Sequence, residues 1–114
     1  MRFKAIASLA VVALLAAGSC ARSPASAFLA AGLVSARQDA WEDAARQWAR
    51  AVEKDPGSAA AHNNLAVAYE RQGAWEAAER EYGEALRLAP DEPTIKTNYA
   101  AFKARLERLR GRMP

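Results

Sequence analysis

Few residues in this 114-residue chain are of types that do covalent chemistry. There is one histidine, His62, and one cysteine, Cys20. A lone histidine with no partner pattern around it builds neither a nucleophilic triad nor a metal site, so His62 reads as a packing residue. A single cysteine excludes an internal disulfide. The carboxylates Glu76, Glu79, Glu81 and Glu84 are scattered along one segment, at spacings such as Glu76–Arg80 that suit surface i,i+4 pairs better than acid–base catalysis. No glycine-rich phosphate loop and no HExxH motif occurs. The expectation is therefore no catalytic residue, no metal and no cofactor. The side chains that do recur in register are those of recognition. Arg37, Arg71 and Arg105 fall 34 residues apart, as do Asn64 and Asn98. An asparagine donates and accepts at once and can bond a ligand's main chain, while a ladder of arginines suits ligand carboxylates. Each arginine also sits in the last turn of a helical segment, where a cation complements the dipole.

The elements that must position these columns repeat with the same period. Ala40 to Pro56, AWEDAARQWARAVEKDP, aligns without a gap on Ala74 to Pro90, AWEAAEREYGEALRLAP. Trp41 matches Trp75, Glu42 matches Glu76, Ala44 matches Ala78, Trp48 matches Tyr82, Ala51 matches Ala85, Val52 matches Leu86 and Pro56 matches Pro90. A period of this length marks stacked supersecondary units. Within each unit the apolar residues recur at i, i+3, i+4 and i+7, the spacing of one helix face. A first helix is expected from Pro24 to about Gln38, capped by Ser23, and a second from about Ala40 to Lys54, ended by Asp55-Pro56. The second unit repeats the plan, with His62, Leu65, Ala66 and Tyr69 on its first stripe. Trp75, Ala78, Tyr82, Ala85 and Leu86 form its second. Gly73 supplies a positive φ at the turn where Asp39 stands in the first unit. Alternating alanines and aromatics allow two antiparallel helices to approach closely.

These residues resemble tetratricopeptide repeats. The second unit carries Leu65, Ala66, Tyr69, Gly73, Ala78, Tyr82, Ala85 and Pro90 of the family pattern; the first carries Gly32, Ala44, Trp48, Ala51 and Pro56. The resemblance implies an all-α solenoid of two helix-turn-helix repeats, residues 25–58 and 59–92, with a C-terminal capping helix and basic tail over 93–114. It also implies that the first helices of the units line a groove for an extended peptide or a partner helix. Mapped residue by residue, that groove holds Leu33, Arg37, Asn63, Asn64, Val67, Arg71, Asn98 and Arg105. In the last helix, Ile95, Tyr99, Phe102, Leu106, Leu109 and Met113 are spaced 4, 3, 4, 3, 4, a heptad seam. Either it packs on the second unit as a cap, or Tyr99, Phe102, Leu106 and Leu109 pair with another copy in a homodimer.

The first nineteen residues read as an address. Met1-Arg2-Phe3-Lys4 is a basic start, Ala5 to Ala17 is uncharged and apolar, and Gly18-Ser19-Cys20 follows, the layout of a signal peptide. The apolar run is shorter than the ~20 residues a membrane span needs. Leu14-Leu15-Ala16-Ala17-Gly18-Ser19-Cys20 resembles a bacterial lipobox, although Ala17 stands where leucine is favoured. That resemblance implies cleavage before Cys20, lipid on its thiol and a periplasm-facing anchor, with Ala21 permitting the outer membrane. Residues 20–24 would then be the lipidated cysteine and a short linker. The formal net charge is +3, and loss of Arg2 and Lys4 leaves about +1, too little to imply a nucleic-acid partner. The expected function is a lipid-anchored adaptor in the bacterial envelope whose groove binds a segment of another protein. The alternative is a homo-oligomeric structural subunit assembled through the last helix, since two repeats are fewer than the three that arrays usually need.

Overall fold

The computed structural model describes residues 23–112. The expected signal peptide, Cys20 with the residues to Arg22, and Met113 lie outside the described residues. The described chain is five helices, α1 (Pro24–Arg37), α2 (Trp41–Lys54), α3 (Ala59–Arg71), α4 (Trp75–Leu88) and α5 (Pro93–Arg110). Helices α1, α3 and α5 are each started by a side-chain cap, while α2 and α4 begin after Ala40 and Ala74 without one. The Ser23 hydroxyl accepts from the Ser26 amide at 3.2 Å ahead of Pro24, and Ser58 accepts from the Ala61 amide at 3.1 Å. Glu92 does the same for Thr94 ahead of Pro93. These contacts satisfy amides that the first turn cannot.

The two turns inside the units are identical in wiring. Asp39 donates to the Ala36 carbonyl and Ala40 to Ser35; one period later Gly73 donates to Glu70 and Ala74 to Tyr69. This is a Schellman closure, which requires a left-handed residue just past the helix. Asp39 has φ 57° and Gly73 has φ 75°, so the aspartate adopts the conformation that glycine takes more readily.

Packing follows the alternation of large and small residues. Trp48 and Tyr82 are fully enclosed, as are Ala44, Ala51, Ala78 and Ala85. Trp48 lies directly on Gly32, at a spot where no side chain would fit, and its indole N–H donates to the Leu29 carbonyl at 3.2 Å. One apolar cluster joins Trp48, Ala44 and Ala45 to Leu65 and Ala68, so it spans α2 and α3. A second joins Ala66, Val67, Ala78 and Tyr82 to Phe102 and Leu106, spanning α3, α4 and α5. The core is thus a chain of inter-helix contacts along the array, as in other stacked repeats.

The last helix packs most of its seam within the chain. Phe102 is fully buried and Leu106 nearly so, both against α3 and α4 of the same chain. Tyr99 stacks on Tyr82 with centroids 5.6 Å apart, and Lys103 lies 4.5 Å over the outer side of the Tyr99 ring. Of the four seam residues, Leu109 alone is neither in this core nor stacked upon it. The heptad spacing is accounted for by the packing of Tyr99, Phe102 and Leu106 along the second unit.

Candidate binding face

The first helices of the units are α1, α3 and α5, with α3 in the middle of the chain order. Ten of the thirteen residues of α3 are buried. The side chains expected to line a groove therefore divide into two sets. Arg37, Arg71 and Arg105 are exposed and Leu33 is half-buried, packed in part against the first cluster. Asn63, Asn64 and Val67 are fully buried, and Asn98 is 5 % exposed. These four stand beneath the surface of the face rather than on it.

The asparagines are spent on holding helices together. The Asn98 amide donates to the Asn63 carbonyl oxygen at 3.1 Å, and Asn63 donates to Asn64 at 3.3 Å. A buried amide left without a partner is costly, so such a relay fixes the register of α5 on α3. The arginine column is likewise committed. The Arg71 guanidinium lies 5.0 Å over the Trp41 ring, and Arg105 lies 5.7 Å over Trp75. The two pairs are one period apart, so Arg71 and Arg105 each rest on the tryptophan opening the second helix of the unit before. Arg71 ends α3, whereas α5 runs on past Arg105 to Arg110, so Arg105, contrary to expectation, is not in the last turn. Among the described residues Arg37 has no such tryptophan.

Glu70 is the functional-looking residue that the periodicity did not single out; its counterpart in the first unit is Ala36. It is 5 % exposed, accepts from the Tyr82 hydroxyl at 2.8 Å, and lies 3.7 Å from the Arg105 guanidinium. Burial, reinforced by the Glu70 carboxylate beside it, pushes the Tyr82 phenol well above its ordinary range. The signal available in the sequence was a carboxylate on a stripe that is otherwise apolar, one period before an arginine-bearing turn.

His62 is enclosed, as a packing residue should be, but it is also bonded at both nitrogens. Nε2 donates to the Pro56 carbonyl at 2.8 Å, and Nδ1 lies 2.6 Å from the Glu81 carboxylate. Its counterpart in the first unit, Phe28, instead carries Arg50 over its ring at 4.7 Å. Among the acids expected on the surface, Glu84 pairs with Arg87, whose hydrogen bond holds the Glu84 carboxyl below its ordinary range. Among the described residues no helix is long and apolar enough to cross a membrane, and no three His, Cys, Asp or Glu side chains gather as a metal site. The arrangement offers a surface for contact, with His62, Asn63, Glu70 and Asn98 beneath it turned to internal bonds.

A family model described as Tetratricopeptide repeat matches residues 29–93. No curated protein matches the chain.

Proposed function

The chain belongs to the tetratricopeptide repeat family, and on that premise we propose that it is a lipid-anchored adaptor of the bacterial envelope. Repeats of this family mediate protein–protein interaction. In this reading Cys20 carries the lipid, and the face made by α1, α3 and α5 takes a segment of a partner protein. The observation that carries it is the fate of the enclosed polar groups. His62, Asn63, Glu70 and Asn98 are bonded within the array. Around them the face presents half-buried Leu33 and exposed Arg37 on α1, and exposed Thr97, Ala101 and Arg105 on α5. A rigid, braced face loses little entropy on binding.

The test is photocrosslinking in the host envelope from probes at Arg37 and Ala101, with probes at Arg46 and Arg80 on the outer helices as comparison. Adducts from the first pair, abolished by Leu33→Glu, are expected. Adducts from the second pair alone would move the partner to the other side of the array.

A further inference from the structure

A second recess lies between the start of α4 and the end of α5. We propose that it docks a partner segment carrying a leucine-sized apolar side chain flanked by lysine or arginine. The inference rests on the protein-binding reading above and gives that binding a second point of contact.

The recess is a cavity of about 330 Å³ lined by Trp75, Glu76, Glu79, Leu106, Leu109 and Arg110. Its floor is apolar. Trp75 is half-buried, held by Phe102 at 6.4 Å and by Arg105 across its ring, and Leu106 is 8 % exposed. Leu109 is half-buried on the last full turn of α5. The rim is acidic. Glu76 and Glu79 are exposed, and neither forms an ion pair among the described residues. Arg110 on the opposite wall is 3.6 Å from Glu107 of its own helix, which offsets its charge. An apolar floor beneath two uncompensated carboxylates favours a ligand with the opposite pattern, one hydrophobic side chain with cations beside it.

The array contains a comparison site one period earlier. A hollow of about 700 Å³ is lined by Asp39, Ala40, Trp41, Glu42, Asp43, Arg46 and Gln72. Trp41 there stands for Trp75 and Gln72 for Leu106. Arg46 pairs with Glu42 at 3.2 Å and also with Asp43. In this hollow the polar Gln72 stands where the recess has Leu106, so the same ligand lacks its apolar contact there, and Arg46 is drawn across two of the acids. Discrimination between two matched sites in one molecule is what separates recognition from general stickiness.

The test uses the full chain, ¹⁵N-labelled, titrated with a blocked twelve-residue amphipathic peptide of leucine and lysine. The isomeric peptide with glutamate for lysine serves as the second probe. The lysine peptide should shift the Trp75 indole N–H and the amides of Glu76, Glu79 and Leu109, and leave the Trp41 indole in place. The double variant Glu76→Lys/Glu79→Lys should weaken binding by about tenfold or more, and added salt should weaken it in the parent. Both residues are exposed, so this variant keeps its fold, which its melting curve verifies; Leu109→Ser supplies an independent loss of the apolar contact. Equal shifts at Trp41, equal binding of the glutamate peptide, shifts confined to Arg37, Thr97 and Ala101, or no shift at all would each overturn the proposal. The crosslinks from Arg37 and Ala101 would survive those outcomes, so the adaptor reading fails separately.

Discussion

Replacing Gly32 by alanine should damage this protein although it improves the helix it sits in. A Cβ at Gly32 would lie 2.5 Å from Trp48 Cε2 and closer still to Nε1 and Cδ1. Trp48 is fully enclosed and its indole N–H is bonded to Leu29 on the same helix as Gly32. The ring is rigid and has no open space to enter, so either α1 lifts from α2 or the indole rotates and forfeits its bond. Overpacking of this kind costs roughly 1–3 kcal/mol, and a lost buried hydrogen bond adds about 1 kcal/mol. The greater helix propensity of alanine returns about 0.8–1 kcal/mol. The net is a destabilisation of roughly 1–3 kcal/mol, or about 5–20 °C in melting temperature for a domain of this size. Urea and thermal unfolding followed by circular dichroism measure it directly, with an unchanged urea slope as the check on two-state behaviour. A Gly32→Ala protein as stable as its parent would mean that α1 and α2 do not touch at this residue. The α1–α2 packing described above would then be wrong.

The remaining predictions concern sites of different character. Gly83, on α4, has nothing within 4 Å of where a Cβ would be, so Gly83→Ala should raise stability by roughly 0.5–1 kcal/mol in the same unfolding assay. Tyr82→Phe removes the 2.8 Å donor from nearly buried Glu70 and should cost roughly 1–3 kcal/mol at neutral pH. The Tyr82 phenol is raised from its ordinary value of 10.0, so its contribution is fully present below that value and is lost as pH rises above it. The urea midpoint of the parent should therefore fall more steeply above pH 10 than that of Tyr82→Phe. Asn98→Ala leaves Asn63 without its 3.1 Å donor and should cost roughly 1–3 kcal/mol, read as faster amide exchange across α5 than across α2.

The period of 34 residues carried most of the fold into view, because the alternation that fills each helix pair is local and recurs in register. Helix limits fell within a residue or so of expectation, with Ala40 a cap rather than a helical residue since its carbonyl accepts the first bond, from Ala44. The left-handed turn at Asp39 was readable only because Gly73 stood at the matching position. The face itself was less legible. Mapping family positions onto α3 supposes a middle helix that looks out onto a groove, whereas α3 is enclosed between its neighbours and Asn98 of α5 reaches Asn63. The arginine column was visible, but the tryptophans beneath Arg71 and Arg105 belong to the preceding unit, a contact across 30 residues that spacing alone does not announce. The heptad of α5 was ambiguous for a similar reason, since an internal partner and an external one demand the same apolar seam.

The most direct measurement is the intact mass of the protein recovered from the membranes of its own host, beside a Cys20→Ser variant. A chain that begins at Cys20 and carries acyl groups, absent in the variant, is predicted, and it would confine the partner to the envelope. A full-length, unmodified chain in both preparations would contradict the lipid anchor and return the repeat array to a partner on the other side of the membrane.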